Sequence, residues 1–133
     1  MTRDQIIKAY TGYIACLNGQ DWQNLHRFVS DTATYNGTLI GLEGYRQMLI
    51  GDFQAIPDLT FTISRLICDP PWIAAHLTFD CTPVGDLFDL AVNGKRVQFT
   101  ENVFYEFAGG KIQTVTSVID KAAIAAQVCT SEG

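Results

Sequence analysis

Histidine is scarce in this chain, and the cysteines are scattered. His26 and His76 stand far apart, and Cys16, Cys68, Cys81 and Cys129 include no CxxC pair. That leaves no metal-ligand spacing, and the cysteines read as reduced thiols buried as small apolar groups. A phosphate loop is missing too, because Gly109-Gly110-Lys111 lacks the upstream glycine and the Ser or Thr after the lysine. Charge is sparse, 17% of residues with a net of −5, which excludes nucleic acid as a partner, since its counterions must be displaced by cations. No apolar run approaches a membrane span, and Met1 to Gly19 lacks the basic start and unbroken apolar core of a signal peptide. No membrane association and a cytoplasmic location are the corresponding expectations. Repeats, linkers and low-complexity segments are also lacking.

Apolar residues, by contrast, make up 47% of 133 residues, enough for one real core and too little chain for two. A single domain over residues 1–133 is expected. Residues 3–17 place Ile6, Tyr10, Tyr13, Ile14 and Leu17 at helical spacing behind an N-capping Thr2, and Asn18-Gly19 is expected to end that helix in a left-handed turn. Asp21 then caps a short second helix through Phe28 that buries Trp22, Leu25 and Phe28. One or two short strands fall between Thr32 and Ile40. A third helix, from about Leu42 to Ala55 with Tyr45, Leu49 and Phe53 inward, stops at Pro57. From Leu59 the apolar period changes from 3.6 to 2. Two alternating runs flank Asp69-Pro70-Pro71, a looser segment spans Pro83 to Gly94, two long strands follow, and KAAIAAQV closes as a helix capped by Asp120. Helices first and long antiparallel strands after predict an α+β fold, with helices on one layer of curved, mainly antiparallel sheet.

The most informative stretch is KRVQFTENVFYEFAGGKIQTVTSVID, Lys95 to Asp120, which reads as a hairpin folded at AGGK. Its first strand puts Glu101 on the same face as Phe99, Val103, Tyr105 and Phe107. A carboxylate in such a row is either an error of pattern or a working group.

The segments PPWIAAHLTF, VGDLFDLAVNGKRVQF, VFYEFAGGKI and VIDKAAIAAQ, in this order and spacing, resemble the SnoaL-like polyketide cyclases and predicted ester cyclases. Their cone fold is that of the nuclear-transport-factor-like proteins, shared with ketosteroid isomerase and limonene epoxide hydrolase. The resemblance implies a single cone-shaped domain whose sheet wraps a pocket. It places Glu101, Val103 and Tyr105 on the pocket face, with Val115 and Ser117 on the last strand. It implies that Glu101 pairs with Ser117 and Val103 with Val115, across a three-residue loop of Ala108, Gly109 and Gly110. It also turns His76 inward, with Ala74, Thr78 and Asp80 on the same face, and so leaves Leu77, Phe79 and Phe104 outward, where a homodimer would cover them. Cyclases of this family use an aspartate on the last strand, and by this count its place holds Ser117; the family's histidine falls at Val103. A serine cannot take a proton near neutral pH without a partner base.

Glu101 is therefore the first candidate catalytic residue, and His76 is the second, as its acid–base or orienting partner. A wet strand end or an arginine pair would make Glu101 structural, and a single hydrogen-bonded core histidine would do the same for His76. Asp80 is expected at the pocket mouth or as a hairpin cap. Tyr105 and Ser117 are candidate hydrogen-bond donors to a ligand, and Tyr35 and Asn36 lie on a short strand where the resemblance puts pocket polar groups, although turn chemistry explains Asn36-Gly37 as well. Tyr13 and Phe53 read as pocket wall or core, and Thr78, Val103 and Val115 as pocket wall. Two functions stay open. One is an enzyme, without cofactor or metal, that moves a proton next to the carbonyl of a small apolar organic molecule. The other is a passive hydrophobic binding or dimerisation module.

Overall fold

The computed structural model describes residues 1–129. Helix α1 (Arg3–Asn18) begins in a capping box: the Gln5 amide donates to Thr2 Oγ1 at 3.2 Å, and the Thr2 amide donates to Gln5 Oε1 at 2.8 Å. Its buried stripe is Ile6, Tyr10, Tyr13, Ile14 and Leu17, with Cys16 beside it. The expected left-handed terminus is displaced by one residue, since Gly19 stays right-handed and Gln20 takes φ +51°. Asn18 does different work. Its amide donates to the Phe61 carbonyl at 3.0 Å and accepts from the Phe61 amide at 2.7 Å, tying α1 to the segment before strand β3 (Thr62–Asp69).

The second helix is a 3-10 turn, Trp22–Arg27. Asp21 does not cap it through its side chain but accepts from Asn24 Nδ2 at 2.7 Å, and of the three expected core residues only Leu25 is fully buried. Strands β1 (Val29–Tyr35) and β2 (Thr38–Leu39) form a short hairpin that leads into α2 (Gly41–Ala55). Gly41 has φ +67°, and a Cβ there would lie 2.9 Å from the Asp31 carbonyl oxygen, so no other residue fits that corner.

Strand β4 (Trp72–Cys81), the two-residue strands β5 (Asp86–Leu87) and β6 (Leu90–Ala91), β7 (Val97–Ala108), β8 (Lys111–Ile119) and helix α3 (Lys121–Cys129) complete the order. The main sheet runs β2-β1-β8-β7-β4-β3, antiparallel throughout except for the β1–β8 pair, and it is open rather than closed into a barrel. Helices cover its inner face in a single α+β domain. Among the described residues no helix is long and apolar enough to cross a membrane.

The β7–β8 hairpin is tighter than expected. Gly109 (φ +59°) and Gly110 (φ +83°) make a two-residue turn between Ala108 and Lys111. An irregularity then shifts the ladder, so Glu101 faces Ile119, Val103 faces Ser117 and Tyr105 faces Val115. The register is two residues away from the expected pairing. A shift of two leaves every side chain on its own face, so the inward rows of both strands stand as read.

On β4 the face itself is reversed. Ile73, Ala75, Leu77, Phe79 and Cys81 are buried, while Ala74, His76, Thr78 and Asp80 point to the outer side. Burying an Ile, Leu or Phe side chain is worth about 1.5–3 kcal/mol each, and no polar group on the other face offsets three of them. Leu77 and Phe79 are thus core, and Phe104 alone of the expected outer trio is exposed. At the far end Asp120 caps α3 by accepting from the Ala123 amide at 3.1 Å. Two residues before the end of α3, Gln127 accepts from the Gln98 amide at 2.8 Å and donates back to the Gln98 carbonyl, acting as a strand partner for β7 beyond the last rung of β8.

Candidate active-site cavity

The inner row of β7 brings Phe99, Glu101, Val103 and Tyr105 onto one wall, with Leu77 of β4 directly opposite Glu101. Ser117 of β8 sits diagonally from Glu101, and its hydroxyl donates to Glu101 Oε2. Ser117 is itself held by the chain next to it. Its amide donates to Asn36 Oδ1 at 2.8 Å, and Asn36 Nδ2 donates to its carbonyl at 3.3 Å. Asn36 serves both roles that its sequence context allowed, since it takes φ +48° in the β1–β2 turn and grips the last strand with its side chain.

The helices supply the opposite wall. Tyr13 comes from α1, and Tyr45, Met48, Leu49 and Asp52 come from α2, enclosing with the sheet a cavity of about 580 Å³. That is an ordinary size for a small organic ligand. Part of its lining is phenolic: the Tyr13 and Tyr45 hydroxyls lie 2.7 Å apart, and that of Tyr105 accepts at 3.4 Å from Tyr10 behind it. Burial holds all four phenols well above the usual tyrosine range, so they are neutral hydrogen-bonding groups. Phe61, Phe79, Phe88 and Phe99 add apolar surface, and the exposed Lys121 ammonium lies 5.1 Å from the Phe88 ring centre.

Two carboxyls face this space. Burial raises the Glu101 carboxyl from its ordinary value, and the Ser117 hydroxyl opposes that shift by stabilising the charged form. Asp52 is pushed up to about 7, first by burial and then by the charge of Glu101. Among the described residues the ion pairs are Arg46–Glu43 and Arg96–Asp80, so neither cavity carboxyl has a cationic partner. A carboxyl held near neutral pH in an aromatic cavity can give or take a proton from a bound molecule. No three His, Cys, Asp or Glu side chains among the described residues converge as metal ligands.

Of the residues singled out from the sequence, Glu101, Tyr105, Ser117, Val103, Val115, Tyr35 and Tyr13 line the cavity together. Four do not. His76 is on the outer face, with Nδ1 2.6 Å from Asn102 Oδ1, so no Glu101–His76 dyad exists. Thr78 lies opposite Thr62 and Thr100 on that same outer face. Asp80 is on the outer face too, bound by the Arg96 guanidinium through contacts of 2.6 and 2.9 Å, and does not line the cavity. Phe53 is core, edge-on to Trp22 at 5.6 Å, because one residue past Asp52 the helix has turned away from the cavity. Asp52 and Tyr45 are the additions. The signal for Asp52 was present: positions 45, 48, 49 and 52 form one stripe of α2, and Asp52 is the acid within it.

Comparison with known proteins accords with this architecture. The SnoaL-like polyketide cyclase family model matches residues 7–128. A solved SnoaL-like polyketide cyclase from Agrobacterium tumefaciens strain C58 is 47% identical, with a TM-score of 0.92 over 96% of this chain and 99% of that one. TsrD from Streptomyces laurentii has a TM-score of 0.85 at 18% identity, covering 96% of each chain. IdmH from Streptomyces antibioticus has one of 0.81 at 17% identity, covering 93% of this chain and 98% of its own. The last two likenesses concern the fold alone. No curated protein matches.

Proposed function

Because the chain belongs to the SnoaL-like polyketide cyclase family, we propose that its cavity binds a mostly apolar, carbonyl-bearing small molecule and that Glu101 moves a proton at the carbon beside the carbonyl. The observation that carries this reading is Glu101 itself: a half-buried carboxyl, without a cationic partner, on the wall of an aromatic cavity. In the reaction the Glu101 carboxylate takes the α-proton, the C–H electron pair moves into the carbonyl, and the oxygen becomes an enolate. Reprotonation or attack of that enolate on a second carbonyl then gives isomerisation, dehydration or ring closure. Neutral hydrogen-bond donors stabilise the developing oxyanion most where water is excluded. Tyr105 suits that role, since it accepts from Tyr10 and keeps its own proton to donate. The step needs no cofactor.

A second reading is favoured by one residue. Ser117 occupies the position at which the resemblance places the family's catalytic aspartate, and a cavity without that group would serve as a passive site for flat apolar compounds. Proton exchange separates the two. A panel of bicyclic ketones is incubated with the protein in D2O, and loss of the α-proton signal is followed by NMR. Exchange above the buffer rate that disappears in Glu101→Gln supports the enzyme. Ketones that bind without exchanging their α-protons support the passive pocket.

A further inference from the structure

We infer that Asp52 is a second catalytic group of this cavity: as the neutral acid, it donates a hydrogen bond to the carbonyl oxygen of the ketone whose α-proton Glu101 removes. The inference rests on the reading above and adds a second, stronger donor at the oxygen end beside Tyr105.

Position comes first. Asp52 lies one turn beyond Met48 and Leu49 on α2, and all three line the cavity that Glu101 lines from β7. A ligand in that space therefore lies between a carboxyl on the helix layer and a carboxyl on the sheet. The Asp52 carboxyl is also unengaged, making no hydrogen bond or ion pair among the described residues. None of the phenols around it donates to the Asp52 carboxyl: Tyr13 and Tyr45 bond each other, and Tyr105 accepts from Tyr10. Asp52 is half-buried, and its carboxyl oxygens are open to the cavity instead of sealed within the protein, so a molecule entering that space reaches them directly.

The location of the proton follows from what surrounds each acid. The titratable and charged groups that line the cavity with Asp52 are Tyr13 of α1, Tyr35 of β1, Tyr45 of α2, Glu101 and Tyr105 of β7, and Lys121 of α3. The tyrosines are neutral, and Lys121 is exposed beside Phe88. Glu101 is the other acid, and two carboxyls in one poorly solvated cavity do not both ionise readily. The Ser117 hydroxyl donates to Glu101 and favours charge there. No donor does the same for Asp52. One proton shared by the pair at neutral pH therefore resides on Asp52, leaving Glu101 as the base. That split of roles between two carboxyls is what enolisation needs, because a carboxylic acid is a stronger donor to a developing enolate than a phenol.

The test uses 1-tetralone carrying 13C at the carbonyl, titrated by NMR into the wild-type protein, Asp52→Ala, Asp52→Asn and Glu101→Gln from pH 5.5 to 8.5. Amide spectra establish that each variant is folded. In the wild type the bound carbonyl resonance moves downfield, and affinity declines as pH rises through about 7. Asp52→Ala loses about tenfold in affinity at pH 6, the worth of one hydrogen bond. Asp52→Asn keeps a donor, so it binds like the wild type at pH 6 but with affinity that no longer changes with pH. Glu101→Gln still binds, with the pH midpoint moved lower because the repelling charge is gone. Affinity and pH dependence that survive both Asp52 changes overturn the proposal, as does failure of tetralone to bind at all. Failure of the underlying reading looks different: tetralone then binds in an Asp52-dependent way, yet its α-protons do not exchange.

Discussion

Asp80 and Glu101 lie on neighbouring strands of one sheet and have opposite fates. Asp80 is exposed on the outer face of β4, where the Arg96 guanidinium holds its carboxyl below the usual range. Glu101 is on the inner face of β7, half-buried, paired with a serine hydroxyl instead of a cation, and raised. The outer acid is fastened and the inner one is left chemically unfinished. Counting acids on strands therefore does not locate an active site; asking which acids lack compensation does, and it adds Asp52 to Glu101.

The sharpest way to break that comparison is to neutralise each acid in turn. Glu101→Gln is expected to lower α-proton exchange by at least about 100-fold, the usual contribution of a positioned general base. Asp80→Asn and His76→Ala are expected to leave exchange within experimental error, because both residues face away from the cavity. Equal losses from Asp80→Asn and Glu101→Gln would mean that the distinction between faces carries no functional weight.

Stability against pH is the next lever, and the two faces pull in opposite directions. Asp52 titrates at about 7 in the folded protein against an ordinary 3.8, so its neutral form is preferred on folding. Its contribution is fully present below the unfolded value and is lost as pH rises toward the folded one. Between about pH 4 and pH 7 the fold is expected to lose up to about 1.4 kcal/mol per pH unit from this group, and Glu101 acts in the same sense. Asp80, lowered by Arg96, contributes stability above the unfolded carboxylate range that is lost on acidification, but solvent screens it. Urea titrations across that window measure the slope, and Asp52→Asn is expected to flatten it. An unchanged slope would show that Asp52 is solvated.

How far the sequence discloses the site depends on the strand. On β7 the row Phe99, Val103, Tyr105, Phe107 is apolar apart from Glu101, so the face was legible, and an error of two in the hairpin register did not disturb it. On β4 the alternation of Ile73, Leu77 and Phe79 against His76, Thr78 and Asp80 is just as clear. Assigning the polar residues inward by resemblance set aside the burial of three large side chains, and burial decided the matter. The order of elements was legible because the Thr2 and Asp120 caps, the turn glycines after Ala108 and the change of period all hold, whereas Asp21 and Gly19 did not act as read. Asp52 escaped notice because an acid at one position of a helical stripe looks like surface until the opposing wall is known. The bulge that sets the final pairing of Glu101 with Ile119 has no plain mark in the residues from Ala108 to Gln113.

A smaller effect sharpens the inner side of the comparison. Ser117→Ala removes the one donor that favours charge on Glu101. A hydrogen bond to a charged group contributes about 1.5–3 kcal/mol, so the pH midpoint of exchange is expected to rise by about one unit or more while the maximum rate stays close to the wild-type value. An unmoved midpoint would assign Ser117 to packing and leave the ionisation of Glu101 to burial alone.

The smallest effect on the cavity belongs to the outer face, where the expected homodimer now rests on different residues. With Leu77 and Phe79 inside, the exposed apolar side chains of this face are Ile67 at 62%, Trp72 at 41%, Phe104 at 53% and Val118 at 67% exposure, spread over β3, β4, β7 and β8. Apolar residues grouped on one face of a sheet favour a covering partner, and a second copy of the chain meets it with the same residues. Sedimentation at micromolar concentration is expected to show a dimer that Phe104→Lys dissociates, with tetralone affinity unchanged because Phe104 points away from the ligand. A wild-type monomer at that concentration withdraws the dimer. A dissociated variant that also loses the ketone would mean that the faces are coupled, and the division between a fastened outer surface and an unfinished inner one would have to be redrawn.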